Sequence, residues 1–301
     1  MPTILEINNL TKQFGRLTAV NHLSLNIEKG SVFGMLGPNG SGKTTTLGML
    51  LGVTKPTSGT FSWFGKGESH EMRKNIGAIL EQPVFYPYMT GIQNLGLVCQ
   101  IKGAEKNRIE EVLEIVGLSG RGHDKFKGYS LGMKQRLAIA AALINDPEVL
   151  VLDEPTNGLD PQGIFDIRQL IRQIAQTGKT IILASHLLDE VQKVCTDFCV
   201  LQTGNLIYQG IVEADFAKST TIELVAEDMQ TLIEALQKIP GVDEIEEKDG
   251  KVIVRGTLQL NSLTINKYLV EKGIVLTHLH TLKKSLEEQF MEILSEEALG
   301  H

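Results

Sequence analysis

The sequence predicts an α/β fold organised around one glycine-rich loop, followed by a small α+β domain. A glycine-rich loop at 37–44 stands between an apolar run and a helix-forming segment, and later apolar runs end in polar side chains. Near residue 220 the pattern changes to short alternating strands and helices. Because 301 residues exceed the usual size of one hydrophobic core, we expect two domains, at 1–216 and 217–301.

The loop Gly37–Thr44 follows the apolar run Val32–Leu36 and opens into a helical segment. Its glycines let the backbone curl until successive N–H groups face phosphate oxygens, next to the positive end of the helix dipole. Lys43 supplies a positive charge for the β- and γ-phosphates, and the Thr44 hydroxyl is placed to bind Mg²⁺. A glycine-rich turn without a ligand would leave the lysine, the hydroxyl and the flanking elements unexplained.

Two alternating segments, 4–10 and 22–27, precede the loop and predict antiparallel strands. Phe14 is expected on the turn between them, where its ring could stack on an adenine or serve as hydrophobic filling. Between the loop helix and a buried strand at 76–80, a further short strand is expected at 61–65.

Two later strands end in groups that can carry chemistry. The apolar run 149–152 leads into Asp153 and Glu154, and the run 179–185 leads into His186. Paired carboxylates at the end of a buried strand are costly unless a cation lies there. Asp153 would hold Mg²⁺ through water, and Glu154 would orient or deprotonate an attacking water. Ligands of open α/β sheets bind at the carboxyl ends of the strands, where these residues are expected to meet.

Helix signals frame the middle of the chain. Residues 104–116 have helical spacing with Gly117 as the cap, Ser130 is placed as the N-cap of a helix that includes 137–144, and Asp160 precedes the helix 162–175. The aromatic cluster 85–88 is either part of a core or a docking surface.

Composition excludes several classes. The net charge of −7 argues against a general nucleic-acid-binding protein, and we expect no such partner. The sequence has no apolar run of roughly 20 residues and no signal-peptide pattern, so a cytoplasmic location is expected. Cys99, Cys195 and Cys199 are expected to be buried small hydrophobes, the last two on one helix face.

Several motifs together resemble those of ATP-binding cassette (ABC) ATPases. Gly37–Thr44 resembles the Walker A motif, Leu150–Glu154 the Walker B motif, and Ser130–Arg136 the family's signature sequence. Asn157–Asp160 resembles the loop that follows Walker B, and His186 the switch histidine. The set, over residues 4–215, is similar to the nucleotide-binding subunit of an ABC transporter. This implies a P-loop NTPase core with an antiparallel β subdomain and a helical subdomain at about 83–147.

The resemblance also implies ATP hydrolysis with Mg²⁺ by a head-to-tail homodimer that closes on two ATP molecules. Ser130 and Gly132 of one subunit would contact the γ-phosphate held by Lys43 of the other. Phe14 would stack on adenine, Asp160 would cross the dimer interface, and His186 would reach the γ-phosphate. The residues expected to bind the nucleotide through the loop are Gly37, Pro38, Asn39, Gly40, Ser41, Gly42, Lys43, Thr44 and Thr45.

Two departures from the family pattern stand out. The signature reads YSLGM at 129–133 in place of Leu-Ser-Gly-Gly-Gln, a variant that resembles the branch serving drug, antimicrobial-peptide and polysaccharide exporters. The position of the glutamine that senses the γ-phosphate falls on Glu81, with Gln82 one residue later. Glu81 is therefore the expected nucleotide and metal sensor, with Gln82 as the alternative.

The segment from about 220 onward has the order β-α-β-β-α-β, which predicts a ferredoxin-like sandwich with an extra helix at 282–294. Residues 285–290 resemble a closing helix found in the same exporter branch. This domain could be regulatory, could reinforce the dimer, or could be a passive appendage.

The motifs favour the ATPase subunit of an exporter, docked beneath separate membrane-spanning permease subunits on the inner face of the cell membrane. The alternative is a soluble ABC protein that acts on ribosomes or DNA. A single cassette, the lack of sustained heptads and the acidic balance disfavour that alternative. A P-loop kinase would leave the signature and His186 unexplained.

Overall fold

The computed structural model describes residues 2–66, 70–81, 84–212, 220–248, 250–256 and 261–282. The chain divides into two compact units, Met1–Ile211 and Val212–His301. Among the described residues, no helix is both long and apolar enough to cross a membrane.

The first unit begins with a three-stranded antiparallel sheet in the order β2-β1-β4, formed by β1 (Thr3–Phe14), β2 (Leu17–Glu28) and β4 (Ser58–Trp63). The predicted alternation is confirmed in β2, where Leu23, Leu25 and Ile27 are buried between exposed residues. In β1 it is interrupted, because Ile4 and Leu5 are both buried where the pairing with β2 shifts register. The expectation that Phe14 lies on the turn is wrong: it is the last residue of β1 and pairs with Leu17. Gly15, with φ of 59°, makes the turn one residue later.

A second sheet forms the centre of this unit and has the order β5-β6-β7-β3-β8-β9. All pairs are parallel except the last, β8 with β9. Every residue of β3, β6 and β7 is buried, which explains their continuous apolar runs. The strands are β3 (Val32–Leu36), β5 (Ile76–Ile79), β6 (Val149–Asp153), β7 (Thr180–Ser185), β8 (Asp197–Gln202) and β9 (Asn205–Ile211).

The helices of the first unit are α1 (Lys43–Leu50), α2 (His70–Arg73), α3 (Gly91–Lys102), α4 (Arg108–Ile115), α5 (Leu131–Leu143), α6 (Pro161–Gln176) and α7 (Leu188–Val194). Helix α6 buries Ile167, Leu170, Ile171 and Ile174, the spacing of one helical face. Its N-cap is Asp160, whose Oδ1 accepts a hydrogen bond from the Gly163 N–H at 2.9 Å, as the sequence predicts.

Two sequence-based assignments in this unit need correction. The helix expected at 104–116 begins only at Arg108, because α3 ends before Gly103, whose left-handed φ of 68° breaks the chain direction. Cys195 and Cys199 do not share a helix face, since α7 ends before Cys195 and Cys199 lies in β8. All three cysteines are free and buried, and burial raises the pKa values of the Cys195 and Cys199 thiols.

The second unit contains β10 (Thr220–Ala226), α8 (Met229–Leu236), β11 (Val242–Lys248), β12 (Lys251–Gly256), α9 (Ser262–Glu271) and β13 (Leu276–Leu282). Its antiparallel sheet has the order β11-β12-β10-β13, which confirms the ferredoxin-like arrangement. A separate core, with Leu224, Leu232 and Val254 among its members, lies between this sheet and its helices. Leu282, the first residue of the expected extra helix, is the last residue of β13. The rest of that expected helix, including 285–290, and residue 249 of the expected hairpin lie outside the described residues.

Candidate active site

The carboxyl ends of β3, β5, β6 and β7 carry most of the predicted site residues. β3 leads into the loop Gly37–Gly42, which turns through positive φ angles at Gly40 (82°) and Gly42 (106°). A side chain at Gly42 would lie 2.6 Å from the Ala19 carbonyl oxygen, so the loop closely approaches β2. The Gly37 N–H donates to the Ser185 carbonyl at 3.2 Å, which ties the start of the loop to the end of β7.

Lys43 is the first residue of α1 and is almost completely buried. Its Nζ donates to the carbonyl oxygens of Gly37 (2.6 Å) and Pro38 (3.3 Å), so the ammonium group lies across the loop. Nζ also lies 3.4 Å from Oε1 of Glu154, at the end of β6. The lysine thus joins the loop to the carboxylate pair.

The residues predicted to hold a metal lie together. Thr44 lies near enough to Asp153 to lower the pKa of its carboxyl group, and Oδ1 of Asp153 is buried without a hydrogen-bond partner among the described residues. Burial raises the pKa of Asp153, the charges of Glu154 and Glu81 add to the rise, and Thr44 and Lys43 oppose it. A buried carboxylate oxygen beside a hydroxyl is an oxygen donor set that suits a hard divalent cation such as Mg²⁺. These residues therefore fit the predicted metal.

Glu154 contacts both ends of the cluster. Its Oε2 lies 2.8 Å from Nδ1 of His186, and its Oε1 faces Lys43. The Glu154 N–H donates to the Ala184 carbonyl at 2.9 Å, and a positive φ of 47° turns the residue out of β6. A carboxylate paired with an imidazole beside a phosphate-binding loop can orient and deprotonate water.

In the part of the chain that the structure describes, Glu81 and Phe14 make no hydrogen bond or ion pair with Lys43, Asp153 or Glu154. Glu81 follows β5 with a left-handed φ of 58° and is near enough to Asp153 to raise its pKa. The alternative sensor, Gln82, lies outside the described residues. The Phe14 ring is 50% exposed, and Nζ of Lys12 lies 4.8 Å from its centroid. The exposed half of the ring surface is therefore accessible to a planar group.

The signature residues lie elsewhere. Oγ of Ser130 accepts a hydrogen bond from the Met133 N–H at 3.2 Å and caps α5, as predicted. Ser130, Gly132 and Asp160 line one groove, and none of the described residues that line it belongs to the phosphate loop. Within one chain, the predicted residues therefore form two separate sets.

The sequence analysis missed three buried polar residues behind the cluster: Thr156, Ser185 and Glu190. The Glu190 carboxyl accepts hydrogen bonds from both hydroxyls. An available signal was a carboxylate on the apolar face of α7, beside Val191 and Val194.

Comparison with known proteins places this geometry in context. The family described as ABC transporter matches residues 20–157. The bacitracin transport ATP-binding protein BcrA of Bacillus licheniformis is 38% identical over 309 residues, covering 100% of both chains. An ABC transporter ATP-binding protein of Bacillus subtilis, YhcH, is also 38% identical, over 98% of this chain and 97% of its own. A lantibiotic transport ATP-binding protein of Streptococcus pyogenes is 40% identical over 73% of this chain and 94% of its own.

Solved structures agree with these relatives. A Clostridium perfringens protein that is part of an ABC transporter complex superposes with a TM-score of 0.66 at 27% identity, over 80% of this chain and 97% of that chain. A dimeric ATP-binding cassette in a post-hydrolysis state, bound to ADP and phosphate, superposes with a TM-score of 0.63 at 27% identity, over 69% of this chain and 99% of that chain.

Proposed function

The chain belongs to the ATP-binding proteins of ABC transporters, and from this we propose that it binds and hydrolyses ATP to drive export through separate membrane-spanning subunits. The relatives named for bacitracin and lantibiotic transport support a transport function, and the match to BcrA covers both units. A further relative, named for Nod factor export, supports the outward direction. The same relatives favour a transporter over the alternative of a soluble ABC protein that acts on ribosomes or DNA.

The observation that carries the proposal is the position of Glu154 between Lys43 and His186. In the proposed reaction, ATP and water give ADP and phosphate. Glu154 orients the water and accepts its proton, while Lys43 and the loop N–H groups bind the β- and γ-phosphates. His186 contacts the γ-phosphate and positions the Glu154 carboxylate.

Thr44 and Asp153 are the residues proposed to hold Mg²⁺, with Glu81 beside them. The ion, when bound, neutralises charge on the β- and γ-phosphates. The neighbouring loop residues, from Gly37 to Thr45, and the half-exposed Phe14 are proposed to bind the nucleotide itself.

Ser130, Gly132 and Asp160 line a groove whose described residues include none of the same chain's phosphate loop, so a second copy of the chain would have to supply that loop. We propose a head-to-tail homodimer in which this groove faces the phosphate loop of the partner subunit. The N-terminal N–H groups of α5 would then bind the γ-phosphate across the interface. The dimeric state of the cassette bound to ADP and phosphate supports this arrangement. ATP binding would close the dimer and hydrolysis would open it.

The aromatic segment 85–88 is proposed as the surface that meets the permease. The ring centroids of Phe85 and Phe126 are 5.2 Å apart, whereas Tyr86 and Tyr88 are 62% and 77% exposed. Buried Asn94 holds the segment, because its side chain hydrogen-bonds both the N–H (2.8 Å) and the carbonyl (3.1 Å) of Tyr86. Exposed aromatic residues on a fixed backbone suit a protein interface. Docking there would place the chain on the inner face of the cell membrane.

Affinity purification tests the proposal. The Glu154→Gln variant is purified from native membranes with ATP and Mg²⁺, and the proteins that accompany it are identified. A polytopic membrane protein in stoichiometric amount is the expected result. A dimer without such a protein, or one accompanied by ribosomal material or DNA, would contradict it.

A further inference from the structure

Glu190 is a buried carboxylic acid that the proposed chemistry does not use. It lies on α7 and is 1% exposed. Its two oxygens accept hydrogen bonds from different elements: Oε1 from the Thr156 hydroxyl, in the loop after β6, and Oε2 from the Ser185 hydroxyl, at the end of β7. Both hydroxyl residues are also buried, at 3% and 0% exposure. Burying a carboxyl group is costly unless its hydrogen bonds are made, so this arrangement is specific.

Each partner of Glu190 is close in the chain to a proposed site residue. Thr156 follows Glu154 by two positions, and Ser185 immediately precedes His186. The Ser185 carbonyl accepts from the Gly37 N–H at 3.2 Å, and its hydroxyl accepts from the Leu187 N–H at 3.0 Å. The Glu190 carboxyl group therefore bonds directly to the loop after β6, through Thr156, and to the end of β7, through Ser185. Ser185 in turn precedes His186 and accepts from the first N–H of the phosphate loop.

Close packing brings Glu190 within reach of these elements. A Cβ atom added to Gly34 of β3 would lie 2.9 Å from both Cys195 Sγ and Val191 Cγ1, so only a glycine lets α7 approach the sheet this closely. The ion pair between Arg168 and Asp189, at 2.8 Å, further attaches the helix to α6. Glu190 is thus held on a fixed helix.

We propose that Glu190 is a positioning residue for ATP hydrolysis: by bonding Thr156 and Ser185, it holds the Glu154 carboxylate against His186. This inference rests on the proposed roles of Glu154 and His186. Without Glu190, Thr156 and Ser185 would lose the hydrogen bonds through which one carboxyl group joins the loop after β6 to the end of β7. Displacing a reacting group by about 1 Å can cost roughly 100-fold in rate.

Steady-state ATPase kinetics of the full chain test the inference. Glu190→Ala should lower kcat roughly 10- to 100-fold while leaving the KM for ATP within about threefold, because the phosphate loop keeps its own contacts. Glu190→Gln should restore most of kcat, since its amide group can bond both hydroxyls, which either donate or accept. Thr180→Val is the matched control, because Thr180 is a buried hydroxyl at the other end of β7, where it accepts from the Gly30 N–H at 2.8 Å.

A second variant covers the case in which Glu190→Ala does not fold. The double substitution of Thr156→Val and Ser185→Ala removes both hydroxyls and leaves Glu190, and it should show the same selective fall in kcat. Coupling gives a further readout: the loss caused by His186→Ala should be smaller in the Glu190→Ala background than in the wild type.

Glu154→Gln is measured in parallel to separate two kinds of failure. If Glu154→Gln hydrolyses ATP at the wild-type rate, the proposed catalytic role and this inference are both wrong. If Glu154→Gln is inactive while Glu190→Ala or the double variant keeps the wild-type kcat, or if KM rises as much as kcat falls, only the positioning role is wrong.

Discussion

Nδ1 of His186 lies 2.8 Å from Oε2 of Glu154, while the other oxygen of the same carboxylate faces Lys43 at 3.4 Å. Three strand ends therefore meet at one side chain: Lys43 follows β3, Glu154 follows β6 and His186 follows β7. Because β6 and β7 are paired in parallel, the glutamate and the histidine are fixed beside each other by the sheet itself. The carboxylate can accept a proton while its position is held from both sides.

Replacing Glu154 tests its proposed chemistry directly. Glu154→Gln keeps the shape of the side chain and its ability to hydrogen-bond, but a neutral amide cannot accept a proton from water. We expect ATPase turnover to fall by at least about 100-fold, as general-base catalysis contributes roughly 10²–10⁴. ATP should still bind, which equilibrium nucleotide binding can measure. Turnover at the wild-type rate would remove Glu154 from this role.

Gly77 lies where β5 packs too closely against α5 to admit a side chain. A Cβ atom at this residue of β5 would lie 2.3 Å from the Ala142 carbonyl oxygen of α5. Gly77→Ala should therefore destabilise the first unit by roughly 1–3 kcal/mol, the usual cost of overpacking. The matched control is Gly96→Ala in α3, where nothing lies within 4 Å; alanine should stabilise the helix there by about 0.5–1 kcal/mol. Thermal unfolding of both variants measures these changes, and equal melting temperatures would contradict the packing argument.

Much of the fold was predictable because its strongest signals are local. Continuous apolar runs marked β3, β6 and β7, and capping residues marked α5 and α6. The missed helix α3 also had a local signal: Thr90 and Gln93 form a capping box, which a search for that pattern would have found. By contrast, the separation of Cys195 from Cys199 depends on where α7 ends, and helix ends are set by tertiary packing.

The candidate site also contains residues that local sequence signals predict and residues that they do not. Lys43, Glu154 and His186 could be predicted because each belongs to a motif at a strand end. The distances between these three side chains could not be predicted, because they depend on the order of the strands in the sheet. Glu190 was missed because its partners lie 34 and 5 residues away in the sequence, and no pattern in the chain links the three.

The exposed aromatic surface leads to a prediction about the permease. Tyr88→Glu in the Glu154→Gln background should remove the membrane protein from the affinity-purified material, because a carboxylate would have to be desolvated at the interface. ATP binding should be unchanged. Val53→Glu is the control, since Val53 is also exposed, at 72%, but lies outside the aromatic segment. Equal recovery of the membrane protein with both variants would place the docking surface elsewhere.

We expect the Asp153 carboxylate to lower the stability of the metal-free fold while it contributes to metal binding. Burial raises the pKa of this carboxyl group, so the nucleotide-free fold favours its protonated form. The stabilisation from the bound proton is fully present below the ordinary aspartate pKa of about 3.9 and is lost as pH rises through the raised value. At neutral pH without metal, the charged carboxylate therefore costs stability. Asp153→Asn should raise the melting temperature of the nucleotide-free chain at pH 7, by about 2–4 °C per kcal/mol recovered.

Calorimetry at several pH values, with and without Mg²⁺ and ATP, measures the melting temperatures of the wild type and of Asp153→Asn. The advantage of Asp153→Asn should shrink as pH falls and wild-type Asp153 becomes protonated. Adding Mg²⁺ and ATP should stabilise the wild type more than the variant and reverse their order, because the amide is a weaker metal ligand. Asp146→Asn is the opposite control: a hydrogen bond from Lys179 lowers the pKa of Asp146, so its loss should lower the melting temperature at pH 7. If Mg²⁺ and ATP stabilise wild type and Asp153→Asn equally, Asp153 does not hold the metal.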